Sequence, residues 1–366
     1  MAKGPFLTVE DMKACFNLFC CIYGIGTLGM PGNFARSGPV IAVIAMAFMA
    51  FANIYSSLSM SKVMLLAPRS VKTFGDLGEW AMGTTGRWLC IISQMGSCLL
   101  IPCVFLVLGG QLLDGLFTDA FSQTTWIILM ALTVLPVCLV PTLKEGSGSA
   151  FAGCMGTIIA DIIAVALVMH GMRGHPSVPF PELKFSQVVG VFGNLTLAYG
   201  AGIVIPDIQR QHSDPTRMPA MSYVSVADSE RVHKDNEEEE AAEYTGANVI
   251  KYIILRCIIV VILVAMAIAF KDHFTEFADF VGASCITTNC ILLPVLFYLI
   301  KAWERVPIYE KVAAIIVFVV CFICGCYVTY TNGKELFDPS DSEKAFPFCH
   351  ADFENTVYYN YTAEHL

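Results

Sequence analysis

Apolar residues fall along this chain in nine blocks, near residues 13–36, 40–66, 88–113, 124–143, 151–172, 186–206, 249–270, 279–301 and 309–331. Each is long enough to cross a hydrocarbon layer about 30 Å thick, which needs roughly 20 helical residues at 1.5 Å of rise. The separators are rich in turn formers: Ser37-Gly38-Pro39, Pro68, Gly83 to Gly86, Lys144 to Gly148 and Gly171 to Pro181. The pattern predicts an all-α integral membrane protein with about nine transmembrane helices. One long stretch breaks the rhythm. Residues 207–247 carry Asp214, Pro215, Pro219 and the acidic run Glu237 to Glu240, with only scattered large apolar residues, and read as a solvated linker.

Two of the nine blocks are interrupted from within. Gly24-Ile25-Gly26-Thr27-Leu28-Gly29-Met30-Pro31 lies in the middle of the first, and Tyr199-Gly200-Ala201-Gly202-Ile203-Val204-Ile205-Pro206 closes the sixth. Lipid offers no hydrogen bonds, so irregular backbone at membrane depth persists only where it is buried in protein or lines a polar cavity. Two such interruptions in separate spans point to the central site of an inverted-repeat transporter. Gly24, Gly26 and Gly29 also spell a dinucleotide-binding string. That reading needs a preceding strand and an acidic residue about 20 positions on, and the apolar run from Ile41 to Phe48 rules it out. A helix-packing seam would use the glycines but leaves Pro31 and Pro206 unexplained. The predicted picture is a pair of half-helices in each broken span, unwound over Gly24–Gly29 and Tyr199–Gly202 and restarting near Met30-Pro31 and Pro206, where proline suits a first turn. Half-helix N-termini suit a carboxylate, and freed carbonyls suit an ammonium group or a small cation. A zwitterionic amino acid satisfies both.

Lys and Arg set the orientation. With the N-terminus in the cytosol, sixteen of the 22 basic residues lie on the cytosolic side, Lys62, Lys144, Arg210, Lys301, Arg305 and Lys311 among them. Arg36, Arg173, Lys184, Lys271, Lys334 and Lys344 lie opposite. The resulting organisation is a cytosolic N-terminus at 1–12, six spans over 13–206, the cytosolic linker at 207–247, three spans over 248–331 and an extracytosolic tail at 332–366. The tail holds a glycosylation sequon at Asn360, whereas the one at Asn194 falls inside a span.

Composition agrees with a membrane protein. The chain is 56% hydrophobic and 14% charged, with mean hydropathy +0.64, against roughly 25% charged in soluble domains. A net charge of −9 gives no reason to expect nucleic acid. Most of the 15 cysteines sit inside apolar blocks and act as small hydrophobes. Cys321, Cys324 and Cys326 share one such block, so no metal or other cofactor is expected beyond a coupling ion, H⁺ or Na⁺.

These motifs resemble the amino acid/auxin permease family. Asn17, the 24–31 break and Ser37-Gly38 look like that family's first helix. Tyr199 to Gln209, followed by Pro215 and Pro219, is similar to its sixth. Arg256, Phe280 to Ala283 and Leu293 to Tyr298 look like its ninth and tenth. The resemblance implies a broken-helix, inverted-repeat transporter with an amino acid substrate and lipid around it, in a plasma or vacuolar/lysosomal membrane. It also implies substrate contact by Gly24, Ile25, Gly26, Thr27, Leu28 and Gly29, and by Tyr199, Gly200, Ala201 and Gly202. The family usually has 11 spans. Here the seventh and eighth are missing, so the second repeat is incomplete. Losing an even number keeps the downstream orientation.

Asp161, in Thr157 to Ile163, is the only acidic residue near the centre of a span. A carboxylate there is costly and functional by default, so it either titrates in proton coupling or hydrogen-bonds a neighbouring helix. Asn17 either ligates an ion or bonds between helices. Arg256 snorkels toward the cytosol, and His170 is a weaker proton-relay candidate. No nucleophile–base constellation marks an enzyme. The expected function is ion-coupled amino acid transport. The alternative is an amino-acid-binding sensor or a truncated isoform that does not transport.

Overall fold

The computed structural model describes residues 19, 23, 25–68, 70–71, 73–117, 120–138, 143–171, 183–200, 202–206, 209 and 248–337. Among these, every regular element is helical. The long elements are α1 (Ile25–Leu66), α2 (Phe74–Leu116), α3 (Gln123–Cys138), α4 (Leu143–Gly171), α5 (Phe185–Tyr199), α6 (Asn248–Ala269), α7 (Phe274–Ala302) and α8 (Ile308–Phe337). Six are long and apolar enough to cross a membrane, namely α1, α2, α4, α6, α7 and α8, and α3 and α5 are shorter. The first two expected spans both lie in α1, as two helices joined at a kink. They meet at Gly38, whose φ of 72° and ψ of 163° turn the chain without a loop. That backbone region is essentially closed to residues with a Cβ. The last helix runs on to Phe337, six residues into the stretch assigned to the tail. The linker beyond Gln209, Asn360 and residues 1–12 lie outside the described residues.

Gly83 (φ 69°) makes a similar turn in α2 and sets off a short first segment. Thr73 caps that segment, its hydroxyl accepting from the Asp76 N–H while the Asp76 carboxylate accepts from the Thr73 N–H. This capping box satisfies two donors that the helix itself leaves over.

Polar and cation–π contacts join the helix ends. At one end Lys62 donates to Tyr298 (3.2 Å) and to Glu310 (3.0 Å), joining α1, α7 and α8. Lys301 lies 4.4 Å from the centre of the Trp80 ring, and Arg256 donates to the Cys138 carbonyl. At the other end, the Lys271 carbonyl accepts from Gln111 and Gln123.

Lipid tails are as apolar as leucine, so helices in a membrane associate by close packing and not by escaping water. The centre of this bundle is built that way. A Cβ on Gly282 of α7 would lie 1.9 Å from the Gly193 carbonyl oxygen of α5, and one on Gly193 would meet the Asp279 backbone at 2.4 Å. Around this contact pack Phe192, Leu195, Phe277, Ile286, Val317 and Cys321. A second cluster joins Met60, Leu77, Phe297 and Ile205. Large apolar side chains of α4 and α6, such as Leu167 and Val261, face outward, as lipid contact requires.

Gly282→Ala should lower stability by about 1–3 kcal/mol, the usual cost of overpacking. Gly153→Leu, where an added Cβ meets nothing within 4 Å, should change little. Thermal melting of the purified protein in detergent compares the two.

Candidate functional site

The first interruption is tighter than its sequence suggests. The Tyr23 N–H donates to the Phe19 carbonyl at 2.7 Å, closing a helical turn, and the chain bends at Tyr23. Gly24 lies outside the described residues, and α1 starts at Ile25. The restart is therefore not at Met30-Pro31, and residues 25–29 are the first turns of a helix and not an unwound stretch. The glycines serve close approach instead. A Cβ on Gly26 would lie 2.2 Å from Ala198 Cα, and one on Gly29 would lie 2.4 Å from the Asn194 side-chain nitrogen. Pro31 sits in the second turn.

The second interruption follows its pattern more closely. α5 ends at Tyr199, Gly200 leaves the helix (φ −75°, ψ 54°), and a 3₁₀ turn covers Gly202–Val204. Ala201 lies outside the described residues. The break leans on α7 where that helix is itself irregular, with π-helical turns at Gly282–Ile286 and Thr288–Leu292. A Cβ on Gly200 would meet Ile286 Cγ2 at 2.4 Å, and one on Gly202 would meet Cys290 Cα at 2.9 Å. The sequence gives reasons for the widened turns. Pro294 has no N–H to offer the carbonyl one turn back, and the Thr287 hydroxyl donates to the Gly282 carbonyl at 2.9 Å. Such π turns recur at functional sites.

Of the expected site residues, the structure brings Gly26 and Gly29 against the helix that ends at Tyr199, along one seam. Gly26 and Gly29 of α1 press on Ala198 and Asn194, just before Tyr199, Gly200 and Gly202. Thr27 is half-buried, Tyr199 packs at the edge of the core, and Leu28 points away, 46% exposed. Of Ile25 only the backbone is described, and Asn17 lies outside the described residues. Asp161 reaches the first break through one bond, accepting from the Tyr23 hydroxyl at 2.6 Å.

Sequence reasoning passed over the polar groups that lock this seam. Asn33 donates to Asn194 at 2.9 Å, and Arg36 donates to Asn33 at 3.0 Å and to Asp279 at 2.7 Å. All four are buried. They tie α1 to α5 and α7 at the end of the bundle away from Lys62. A second group joins α2 to the π-helical part of α7, where Ser93 donates to Asn289 (2.5 Å) and Asn289 to Ser97 (2.8 Å). The sequence pattern marked Arg36 only as a basic residue on the side opposite the cytosol and did not single out Asp279. An acidic and a basic residue at ends on the same side were the signal available. Among the described residues no three His, Cys, Asp or Glu gather as a metal would require.

The sequence is similar to known proteins along most of its length. A profile described as "Transmembrane amino acid transporter protein" matches residues 9–230 and 228–332. Amino acid transporter AVT1I of Arabidopsis thaliana is 35% identical over 105 residues, 29% of this chain and 25% of that protein. AVT1H of the same plant is 23% identical over 222 residues, 59% of this chain and 51% of its own length. Vacuolar amino acid transporter 7 of Saccharomyces cerevisiae is 27% identical over 158 residues, covering 43% and 31%. The chain thus spans between a quarter and about half of these relatives. No solved structure matches it.

Removing one member of a buried ion pair strands the other, at a cost of about 3–5 kcal/mol, whereas replacing both with apolar residues is often neutral. Asp279→Leu alone should therefore destabilise the protein sharply, and Arg36→Met with Asp279→Leu should recover most of the loss. Melting temperatures of the two single variants and the double variant in detergent read this out.

Proposed function

Because the chain belongs to the transmembrane amino acid transporter family, we propose that this multi-pass membrane protein binds a small amino acid where its two interrupted helices cross. It carries that solute across the bilayer by alternating access, drawing on a proton or sodium gradient. The observation that carries the reading is the seam itself: two broken helices in close contact, Gly26 against the Ala198 backbone and Gly29 against the Asn194 side chain.

The polarity of the helix ends supports a zwitterionic substrate. α1 begins at Ile25, so its first N–H groups carry about half a positive charge, which suits a carboxylate. α5 ends at Tyr199, so its last carbonyls carry the opposite sign and suit an ammonium group. The backbone of Gly24–Gly29 and of Tyr199–Gly202 holds the substrate, and Tyr199 covers it. Asp161 is the coupling carboxylate, joined to the first break by Tyr23. The names of the relatives, each an amino acid transporter, agree with the substrate class.

One observation favours a second reading. After the second break the chain reaches α6 through the 207–247 linker, without the two spans the family usually places there. A relative that binds amino acids without carrying them, acting as a sensor or as a truncated isoform, fits that loss. Uptake of labelled amino acids into proteoliposomes, with and without a pH gradient, separates the readings. Transport is expected, and binding without flux would establish the sensor. In either case Gly26→Val, by separating α1 from α5, should weaken binding by about tenfold or more, a loss of about 1.4 kcal/mol. If the coupling ion is H⁺, Asp161→Asn should abolish the response of uptake to a pH gradient. Uptake that responds as in wild type would remove Asp161 from the coupling.

A further inference from the structure

We propose that the segment just beyond the second break, Gly202 to Pro206, is the door at the Lys62 end of the seam, and that Ile205 is the side chain that holds it shut. The proposal rests on the transporter reading above and names the segment that moves when that face of the membrane gains access to the seam.

The course of the chain is the first support. Gly200 lies against Ile286 and Gly202 against Cys290, and Ile205 shares an apolar cluster with Leu293 and Phe297. Contacts therefore advance along α7 as the chain leaves the seam, toward the end where Tyr298 meets Lys62. The second support is how the segment is held. Its regular structure is a 3₁₀ turn of three residues, Gly202–Val204, a form with poor hydrogen-bond geometry. Ile205 is nevertheless fully buried, among Met60, Leu77 and Phe297. Docking of this side chain, more than the backbone, keeps the segment in place. An apolar dock suits a door. Between helices bathed in lipid the hydrophobic effect gives no drive, but a mouth that opens to water exposes Ile205 and its pocket, so the effect favours closure.

Three consecutive residues of α1 frame the door. Met60 belongs to the cluster that takes Ile205. The Ser61 carbonyl accepts from the buried Gln209 side chain at 3.2 Å. Lys62 binds Tyr298 of α7 and Glu310 of α8, and the Tyr298 hydroxyl donates to the same carboxylate at 3.1 Å. The opposite end of the bundle is tied separately, by Arg36 and Asp279. The shut door also covers a reporter. A Cβ on Gly202 would lie 2.9 Å from Cys290 Cα and 3.1 Å from Cys290 Cβ, and Cys290 is buried. Movement of Gly202 to Pro206 away from α7 uncovers that thiol.

The test reads Cys290 in the full chain in oriented membrane vesicles. A membrane-impermeant maleimide is supplied from one face at a time, and labelling of each cysteine is followed by mass spectrometry. In wild type Cys290 should label slowly from either face. Ile205→Ala, which empties the pocket, should speed that labelling about tenfold or more from the Lys62 face and leave the other face unchanged. Ile205→Leu, which refills the pocket, should stay closer to wild type than to Ile205→Ala. Gln209→Met, which keeps the length and loses the donor, should give a gain of about threefold. Cys103 and Cys321, buried in the other cluster, should remain as slow as in wild type. An Ile205→Ala protein that labels Cys290 at the wild-type rate, or equally from both faces, would overturn the proposal. If that variant also exposes Cys103 and Cys321, the bundle has loosened as a whole and Gln209→Met decides, where no gain at Cys290 sinks the idea. Labelling needs no substrate. A protein that bound no amino acid would end the transporter reading while the labelling still decided whether Ile205 holds a door.

Discussion

Backbone polar groups cannot be left to the solvent inside a bilayer, and the rest of this structure follows from how that demand is met at two interruptions. A helix that stops half-way exposes N–H and C=O groups that need partners at several kcal/mol each. Here the stops are enclosed by other helices. α1 and α5 approach until glycine is the only residue that fits between them, and α7 closes over the second break with turns that are themselves widened. The bundle is tightest where its backbone is least regular. That is the arrangement a polar solute needs, since the same groups that would be costly in lipid become the recognition surface.

Much of this was legible in the residues. Among the described residues the apolar blocks lie on helices, and the turn at Ser37-Gly38-Pro39 is real, although it is a single positive-φ glycine and not a loop. The second interruption falls inside its predicted stretch, whereas the first is a bend at Tyr23, just before the stretch expected to unwind. The extent of the first was not legible, because a glycine that unwinds a helix and a glycine that admits a neighbour look alike in one dimension. Gly26 and Gly29 proved to be the second kind, a distinction that only Ala198 and Asn194 make visible. The π turns in α7 were equally hidden. Thr287, Thr288, Asn289 and Pro294 leave the apolar period almost undisturbed.

Long-range polar pairs were the other blind spot. Asn33 with Asn194, and Arg36 with Asp279, each lie more than 160 residues apart along the chain. A single sequence gives their types but not their pairing. Asp161 shows the opposite case. Its cost in lipid made it conspicuous, and the structure gave it Tyr23 as a partner. A charge in the centre of a span announces itself, whereas a charge at a span end passes for topology.

The Arg36–Asp279 pair also has a consequence for how the protein is made. The two residues are separated by 243 positions, and ribosomes add roughly 5–20 residues per second. Arg36 therefore waits roughly ten to fifty seconds for its carboxylate to be synthesised. During that interval the first helices are already in the bilayer, yet their most polar junction is unfinished. The N-terminal half must be sheltered by the insertion machinery or by water at the membrane face until α7 arrives. Assembly of the seam is thus a late event in biosynthesis, and a chain halted before α7 would present an unpaired arginine to quality control.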